Sequence, residues 1–421
     1  MRSWPSVYLP PVESKANQSA STHPQLKLKD SYSGNSVLLE DKTFSSYVCG
    51  ITPYDATHLG HAATYLTFDL IHRYQIASGR ELHYTQNVTD IDDPLLERAK
   101  RDGQDWRELA TSQIDLFRED MTELRVLPPS NYLGVVESME LVIQHISSLI
   151  ETGRTYELEG DIYLSLSNIP GALENLPVPV HEAVSVFASR GGDPNRSGKK
   201  HPLDTLIWSA QREGEPSWPS PFGNGRPGWH IECVAIALST LTKQPWNRRD
   251  PHASISLQGG GSDLRFPHHY MTSVQARAIT NKPFADLYLH TGMISWQGEK
   301  MSKSLGNLVF VSRLRAEGWT GNEIRYSLIN RKYSQDLAWD MKLLRQAREN
   351  LVRVNSALSR EEVAPTDRVV RDMQWALADD LNVEKALENV LEWCAVTEAG
   401  ATGGISGEIS RALDLYLGIA L

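Results

Sequence analysis

Four groups of residues have the type and spacing to do chemistry. His58-Leu59-Gly60-His61 sets two imidazoles around a glycine at the expected start of a helix. A helix N-terminus offers free N–H groups and positive potential, and glycine lets a ligand approach the backbone. Imidazoles there can donate hydrogen bonds to the phosphates of a nucleotide triphosphate as charge builds. Lys300 and Lys303 stand three apart in Lys300-Met301-Ser302-Lys303-Ser304-Leu305-Gly306-Asn307. As point charges in a Ser/Gly-bearing loop, they suit a mobile clamp on pyrophosphate. Gly259-Gly260-Gly261-Ser262-Asp263 follows an expected strand, and its Asp263 carboxylate can accept hydrogen bonds from ribose hydroxyls. Cys49, Cys233 and His268 each sit beside a ligand-facing loop. Two thiolates and an imidazole fit a tetrahedral zinc centre whose open fourth position marks a functional ion. Each group alone has a plainer explanation: surface histidines, a solvated lysine loop, a common glycine turn, or cysteines filling a core. No CxxC pair marks the metal set.

The elements around these residues follow from hydrophobic pattern. Residues 1–45 read as a loose N-terminal arm with a short hairpin, ending where Tyr47-Val48-Cys49-Gly50-Ile51 forms a buried strand. Leu59, Ala62, Ala63, Leu66 and Leu70 then fall at helical spacing, and Leu82-His83-Tyr84-Thr85-Gln86 is the next strand. Strand, helix, strand predicts a right-handed crossover and a parallel, doubly wound α/β sheet. In such sheets ligands gather beyond the carboxyl ends of the strands, where Cys49-Gly50 and Asn87–Thr89 would lie. Helical periodicity fills 104–152 and stops near Gly153, while 189–202 and 212–228 are loops by composition. About 113–202 reads as a subdomain inserted into a catalytic domain over 46–320, whose second half holds strands at Ser254–Leu257 and Leu287–Leu289. A helical bundle over 321–421 ends the chain and packs Cys394 in its core.

Bulk properties narrow the classes. The 421 residues are 40% hydrophobic and 22% charged, as in ordinary globular proteins. A net charge of -10 argues against a basic nucleic-acid binder. No segment approaches the roughly 18 apolar residues of a membrane span, and no signal-peptide pattern opens the chain. Three scattered cysteines suit a reducing cytoplasm rather than a disulfide framework. The expectation is a cytoplasmic monomer with no membrane partner.

Found together and in this order, His58–His61 and Lys300–Lys303 resemble the HIGH and KMSKS signatures of class I aminoacyl-tRNA synthetases. Those enzymes transfer AMP from ATP to a carboxylate and release pyrophosphate. The resemblance implies a Rossmann-like catalytic domain. It gives His58 and His61 the reacting phosphates, Lys300 and Lys303 the leaving pyrophosphate, and Mg²⁺ a place on the triphosphate. Tyr47-Val48-Cys49-Gly50, Gly228-Trp229-His230-Ile231-Glu232-Cys233 and Phe266-Pro267-His268-His269 are similar to the zinc-bearing segments of cysteinyl-tRNA synthetases. Asn87-Val88-Thr89-Asp90-Ile91-Asp92-Asp93 and Gly214-Glu215-Pro216-Ser217-Trp218-Pro219-Ser220-Pro221 extend that likeness over most of 46–345. It implies one zinc per chain on Cys49, Cys233 and His268, reading the thiol of L-cysteine. The family's fourth ligand, a glutamate, is Thr272 here, and His269 is an alternative ligand or a packing residue. Contacts to the substrate or its adenylate are implied for Cys49, Gly50, Ile51, Thr52, Thr64, Asn87, Val88, Thr89, Trp229, Gly261, Ser262, Asp263 and Ile294.

Two branches share this logic. Residues 47–69 and Arg190-Gly191-Gly192-Asp193-Pro194 resemble the ligases of mycothiol biosynthesis, which join activated cysteine to the amine of glucosaminyl-inositol. The short helical stretch after Lys303 and the acidic charge point the same way. The expected partners are therefore L-cysteine, ATP and glucosaminyl-inositol, without tRNA. Cysteinyl-tRNA synthetase and an inactive synthetase-like binding protein are the alternatives. Ser189 and Tyr270 stand where those ligases usually carry glutamate, and the segment between Cys233 and the Gly-rich loop is longer than usual.

Overall fold

The computed structural model describes residues 1–11, 23–39, 41–242, 255–301 and 306–421. Its centre is a five-stranded sheet in the order Ala285–Thr291, Ile255–Gly261, Thr43–Val48, Glu81–Val88, Asn131–Gly134, with every pair parallel. The chain starts in the middle strand, moves to one side, then returns to the other. The order therefore reverses between Thr43–Val48 and Ile255–Gly261, and the crevice beyond their carboxyl ends is where such sheets hold ligands. Cys49 lies at that point, its N–H donating to the Gly259 carbonyl at 3.0 Å.

The α/β fold class is as expected, with three corrections. The 113–202 stretch is not wholly an insertion. Asn131–Gly134 pairs with Glu81–Val88 as an edge strand, and helix Trp106–Glu123 precedes it. A separate four-stranded antiparallel sheet begins only at Thr155, built from Thr155–Leu158, Asp161–Leu164, Thr205–Ala210 and Gly225–Pro227. That last strand lies inside the expected 212–228 loop. The N-terminal arm is docked rather than loose. Lys27–Lys29 and Ser36–Leu38 form the short hairpin, while buried Trp4 donates to the Val126 carbonyl at 2.7 Å and packs on Phe117 and Tyr132. Ser254, one end of an expected strand, lies outside the described residues; the strand that is seen runs Ile255–Gly261.

Two cores flank the sheet. One packs helix Leu59–Ala77 between the sheet and the helices Gly321–Ile329, Met341–Leu358, Asp367–Ala378, Val383–Glu398 and Ser406–Leu417, with Cys394 buried inside. The other gathers helices Met139–Glu151, Trp229–Leu241 and Tyr270–Thr280 on the opposite face. Helix Leu59–Ala77 is buried on nearly every side, so a polar anchor sets its register. Asp69 accepts from Arg73 at 2.7 Å, from the Leu127 N–H at 2.7 Å and from Arg325, all with fully buried side chains at the ion pairs. Burial alone would raise the Asp69 carboxyl, but Arg325 and Arg73 hold it below the usual carboxylate range. Removing one partner from such a network leaves a buried unpaired charge and costs about 3–5 kcal/mol. Among the described residues, no helix is long and apolar enough to cross a membrane.

Candidate active site and metal centre

The phosphate-facing end begins at His58, the N-cap of helix Leu59–Ala77. Its Nδ1 accepts from the N–H of Gly60 at 3.1 Å and of His61 at 3.4 Å. A capping acceptor must be unprotonated, which leaves the Nε2–H free to point elsewhere. His61 stacks on His58 with ring centroids 3.9 Å apart. Burial, with the neighbouring His61 adding to it, lowers His58 to about 2, and burial lowers His61 to about 4. Both rings are therefore neutral hydrogen-bond donors at ordinary pH.

Beside them, the Thr64 hydroxyl meets the Thr291 hydroxyl at 2.9 Å and also donates to the Gly60 carbonyl at 3.1 Å. Gly261 ends its strand where a Cβ would fall 2.5 Å from an Asp263 carboxylate oxygen and 3.9 Å from the Thr64 hydroxyl. Asp263 is exposed and Ser262 half-buried, while Ile294 is buried at the start of strand Ile294–Trp296. Thr64, Gly261, Asp263 and the two histidines thus share one corner. Lys300 ends the short strand Glu299–Lys300, in register with Ser295. Lys303 lies outside the described residues. Beyond it, Val309 accepts from the Leu59 N–H at 2.9 Å and Val311 donates to the Thr57 carbonyl at 3.1 Å. The chain just after the lysine segment is thus joined by backbone hydrogen bonds to the start of helix Leu59–Ala77.

The second pocket is lined by sulfur and imidazole. Cys49 follows the middle strand, Cys233 sits on the buried helix Trp229–Leu241, and His268 comes from the turn before helix Tyr270–Thr280. Cys49 Sγ is 3.9 Å from Cys233 Sγ, which is 3.3 Å from His268 Nε2. These three ligand atoms all lie within 4.8 Å of one another, and all three residues are buried. The donor set fits a soft metal ion: two sulfurs and an imidazole nitrogen converge, with no carboxylate among them. Burial pushes the Cys49 thiol well up. Cys233 is drawn well below the usual thiol range despite its burial, because the Cys49 thiol and His268 stabilise its thiolate. Thr272 offers no ligand in place of the glutamate, since its hydroxyl donates to the His268 carbonyl at 2.8 Å. His269 is not part of the three-atom cluster; its Nε2 lies 3.1 Å from Cys49 Sγ alone. Trp229 is half-buried and stacks on His268, with centroids 4.1 Å apart.

Between the two pockets runs the loop after strand Glu81–Val88. Gly50 donates to Asn87 Oδ1 at 2.9 Å, and a Cβ on Gly50 would come within 1.5 Å of the Asn87 carbonyl oxygen, so only glycine fits there. Asn87 Nδ2 donates to the Thr89 hydroxyl at 3.2 Å, and the Thr89 N–H donates to the Ile51 carbonyl at 3.0 Å. Val88 is buried beneath them. Thr52 donates to Asp92 at 3.5 Å, and burial raises Asp92 to about 6. Thr291, His230 and His290 are polar neighbours of the site that the sequence reading did not single out. The position of Thr291 and His290 at the carboxyl end of a sheet strand was the available signal.

Residues 35–349 match the family model described as tRNA synthetases class I (C) catalytic domain. The chain is 46% identical, over all of both chains, to the L-cysteine:1D-myo-inositol 2-amino-2-deoxy-alpha-D-glucopyranoside ligase of Streptomyces griseus subsp. griseus. It is 47% identical, again end to end, to the corresponding ligase 2 of Corynebacterium jeikeium. Among solved structures, Mycobacterium tuberculosis methionyl-tRNA synthetase in complex with methionyl-adenylate superposes with a TM-score of 0.65 at 16% identity, covering 84% of this chain and 82% of that one. At that identity the likeness bears on the fold alone. The chain belongs to the class I (C) tRNA-synthetase catalytic family and, within it, to the L-cysteine:1D-myo-inositol 2-amino-2-deoxy-alpha-D-glucopyranoside ligases.

Proposed function

We propose that the protein is an ATP-dependent ligase that activates L-cysteine as an adenylate and passes it to the amine of glucosaminyl-inositol, releasing AMP and pyrophosphate. The observation that carries this is identity of 46% over the full length of both chains to a ligase named for those substrates. The clustered Cys49, Cys233 and His268 support the choice of amino acid.

The cysteine carboxylate attacks the α-phosphate of ATP, and the sugar amine then attacks the acyl carbon and expels AMP. His58 and His61 donate neutral N–H groups to the phosphates, and the N-terminus of their helix adds its own potential. Lys300 and Lys303 hold the departing pyrophosphate, with Mg²⁺ on the triphosphate. Asp263, Ser262 and Gly261 receive the ribose side of the nucleotide, against Thr64 and Ile294. Cys49, Cys233 and His268 would hold one zinc ion, which would supply a soft Lewis acid for the substrate sulfur and favour its thiolate. A serine hydroxyl is a poor match for that position. Gly50, Ile51, Thr52, Asn87, Val88, Thr89 and Trp229 wall the space between sulfur and carboxylate. We assign the catalytic domain to 46–320, the arm to 1–45 and the closing bundle to 321–421. A cytoplasmic location is consistent with three free, buried cysteines, and we take the chain to act as a monomer.

Purified protein given ATP, cysteine and either glucosaminyl-inositol or tRNA tests the proposal. Cysteine-dependent pyrophosphate exchange and a cysteinyl-sugar product are expected. Cysteine transferred only to tRNA would make it a cysteinyl-tRNA synthetase, and no exchange at all would leave a binding protein.

A further inference from the structure

Two imidazole pairs brace the tip of the turn that carries His268. On one side, His268 Nδ1 lies 2.9 Å from His230 Nδ1. On the other, His269 Nδ1 lies 2.9 Å from His290 Nε2, while His269 Nε2 faces Cys49 Sγ at 3.1 Å. All four rings are buried, from 0% exposure at His269 to 7% at His230. Hydrogen positions follow from this network. If His268 Nε2 offers its lone pair to a metal, its Nδ1 carries the proton and donates to His230. If Cys49 is a thiolate, His269 Nε2–H donates to its sulfur, so His269 Nδ1 must accept from His290 Nε2–H. His290 Nδ1 is then an acceptor, buried without a partner among the described residues.

His290 is itself fixed from outside the sheet by the N-terminal arm. Its backbone N–H donates to the Ser31 hydroxyl at 3.0 Å, and the Tyr32 ring packs edge-on against its imidazole, centroids 5.8 Å apart. Tyr32 also donates to the Arg265 carbonyl at 2.7 Å, at the start of the His268-bearing turn. Asp30 ties the arm down by accepting the Tyr288 N–H at 2.9 Å.

We propose that His230 and His290 are positioning residues of the metal centre: His230 fixes His268 with Nε2 toward Cys233, and His290 orients His269 as an N–H donor to the Cys49 sulfur. An N–H···S hydrogen bond withdraws charge from the Cys49 thiolate. A metal ion held by these ligands would then keep its affinity for one further sulfur, that of the substrate. Hydrogen-bond partners of metal ligands typically change metal affinity or activity by about 10–100-fold. The inference rests on the metal reading under Proposed function and deepens it.

The test compares wild type with His290→Phe, which keeps the ring volume and removes the donor, and His290→Gln, whose amide N–H can replace it. Each full-length protein is loaded with cobalt(II) and followed by its sulfur-to-cobalt absorption. Zinc affinity comes from chelator competition, and KM for cysteine and for ATP from pyrophosphate exchange. His290→Phe is expected to shift the cobalt spectrum, to weaken zinc and to raise the cysteine KM by about 10-fold or more. The ATP KM should hold, and His290→Gln should restore most of the loss. A folded His290→Phe with wild-type spectrum, zinc affinity and cysteine KM overturns the proposal, as does an equal rise in both KM values. If His290→Phe does not fold, His290→Gln decides on the same readouts: a loss of zinc affinity as large as that of His269→Leu overturns the proposal, and near wild-type values support it. A wild-type protein that takes up no cobalt overturns the metal reading itself, which separates the two failures.

Discussion

The metal pocket and the phosphate corner share the carboxyl edge of one sheet yet are built by opposite means. In the metal pocket, the two imidazoles that face the sulfurs, His268 and His269, are buried side chains each held by another buried histidine. In the phosphate corner, the positive field comes from a helix end, the glycines clear space, and a short hairpin pairing Ile294–Trp296 with Glu299–Lys300, exposed at its turn, leads into the lysine segment. The difference matches the two tasks. Reading a thiol against a hydroxyl needs a dry, preset donor geometry, whereas a triphosphate is large, charged and bound through many individually weak contacts.

That division can be broken from the metal side first. Cys233→Ala should abolish metal binding and drop cysteine-dependent exchange to background while ATP binding persists; metal analysis and nucleotide titration check it. Undiminished metal would rule out the ligand set. From the phosphate side, His61→Ala should cost about 2.7–4 kcal/mol of transition-state stabilisation, read as kcat/KM, with metal content unchanged. Metal lost together with activity would mean that the two regions are not separable. Trp229→Ala probes the wall that stacks on His268. Its stacking on His268 predicts a cysteine KM raised about 10-fold or more against a steady ATP KM.

These experiments concern residues whose types were legible in the sequence. Local words around Cys49, Cys233 and His268 announced a soft-metal site, and the folded chain brings the three within ligand distance. The alternation of strand and helix gave the parallel sheet, because a crossover leaves few other topologies. The rest depends on register. His290 meets His269, and Thr291 meets Thr64, only because Ile255–Gly261 and Ala285–Thr291 align residue by residue. No spacing in the chain states that alignment. Nor does composition reveal that Trp4 docks on Phe117, or that Asn131–Gly134, four residues long, closes the sheet instead of opening an insertion. The cap made by His58 was hidden for a different reason: histidine is an uncommon N-cap, and its tautomer is set by the helix it caps.

The smallest expected effect is on pH. In an unfolded chain an imidazole protonates near 6.5, whereas folded His61 does so at about 4. Between those values the unfolded chain binds more protons, so this residue makes stability fall as pH drops from 6.5 toward 4. Asp90 and Asp92, raised to about 6 by burial, act in the opposite sense, so the comparison must be made against a variant. Denaturation midpoints at pH 7.5 and 5 should differ more for wild type than for His61→Gln. Equal differences would mean that His61 does not hold its neutral form in the fold.

The central claim is that an ion on Cys49, Cys233 and His268 keeps a place for the substrate's sulfur. X-ray absorption at the zinc edge, on the metal-loaded protein before and after adding cysteine, tests it most directly. The account predicts two sulfurs at about 2.3 Å without substrate and three with it. A sulfur count that does not change on saturation with cysteine would contradict it.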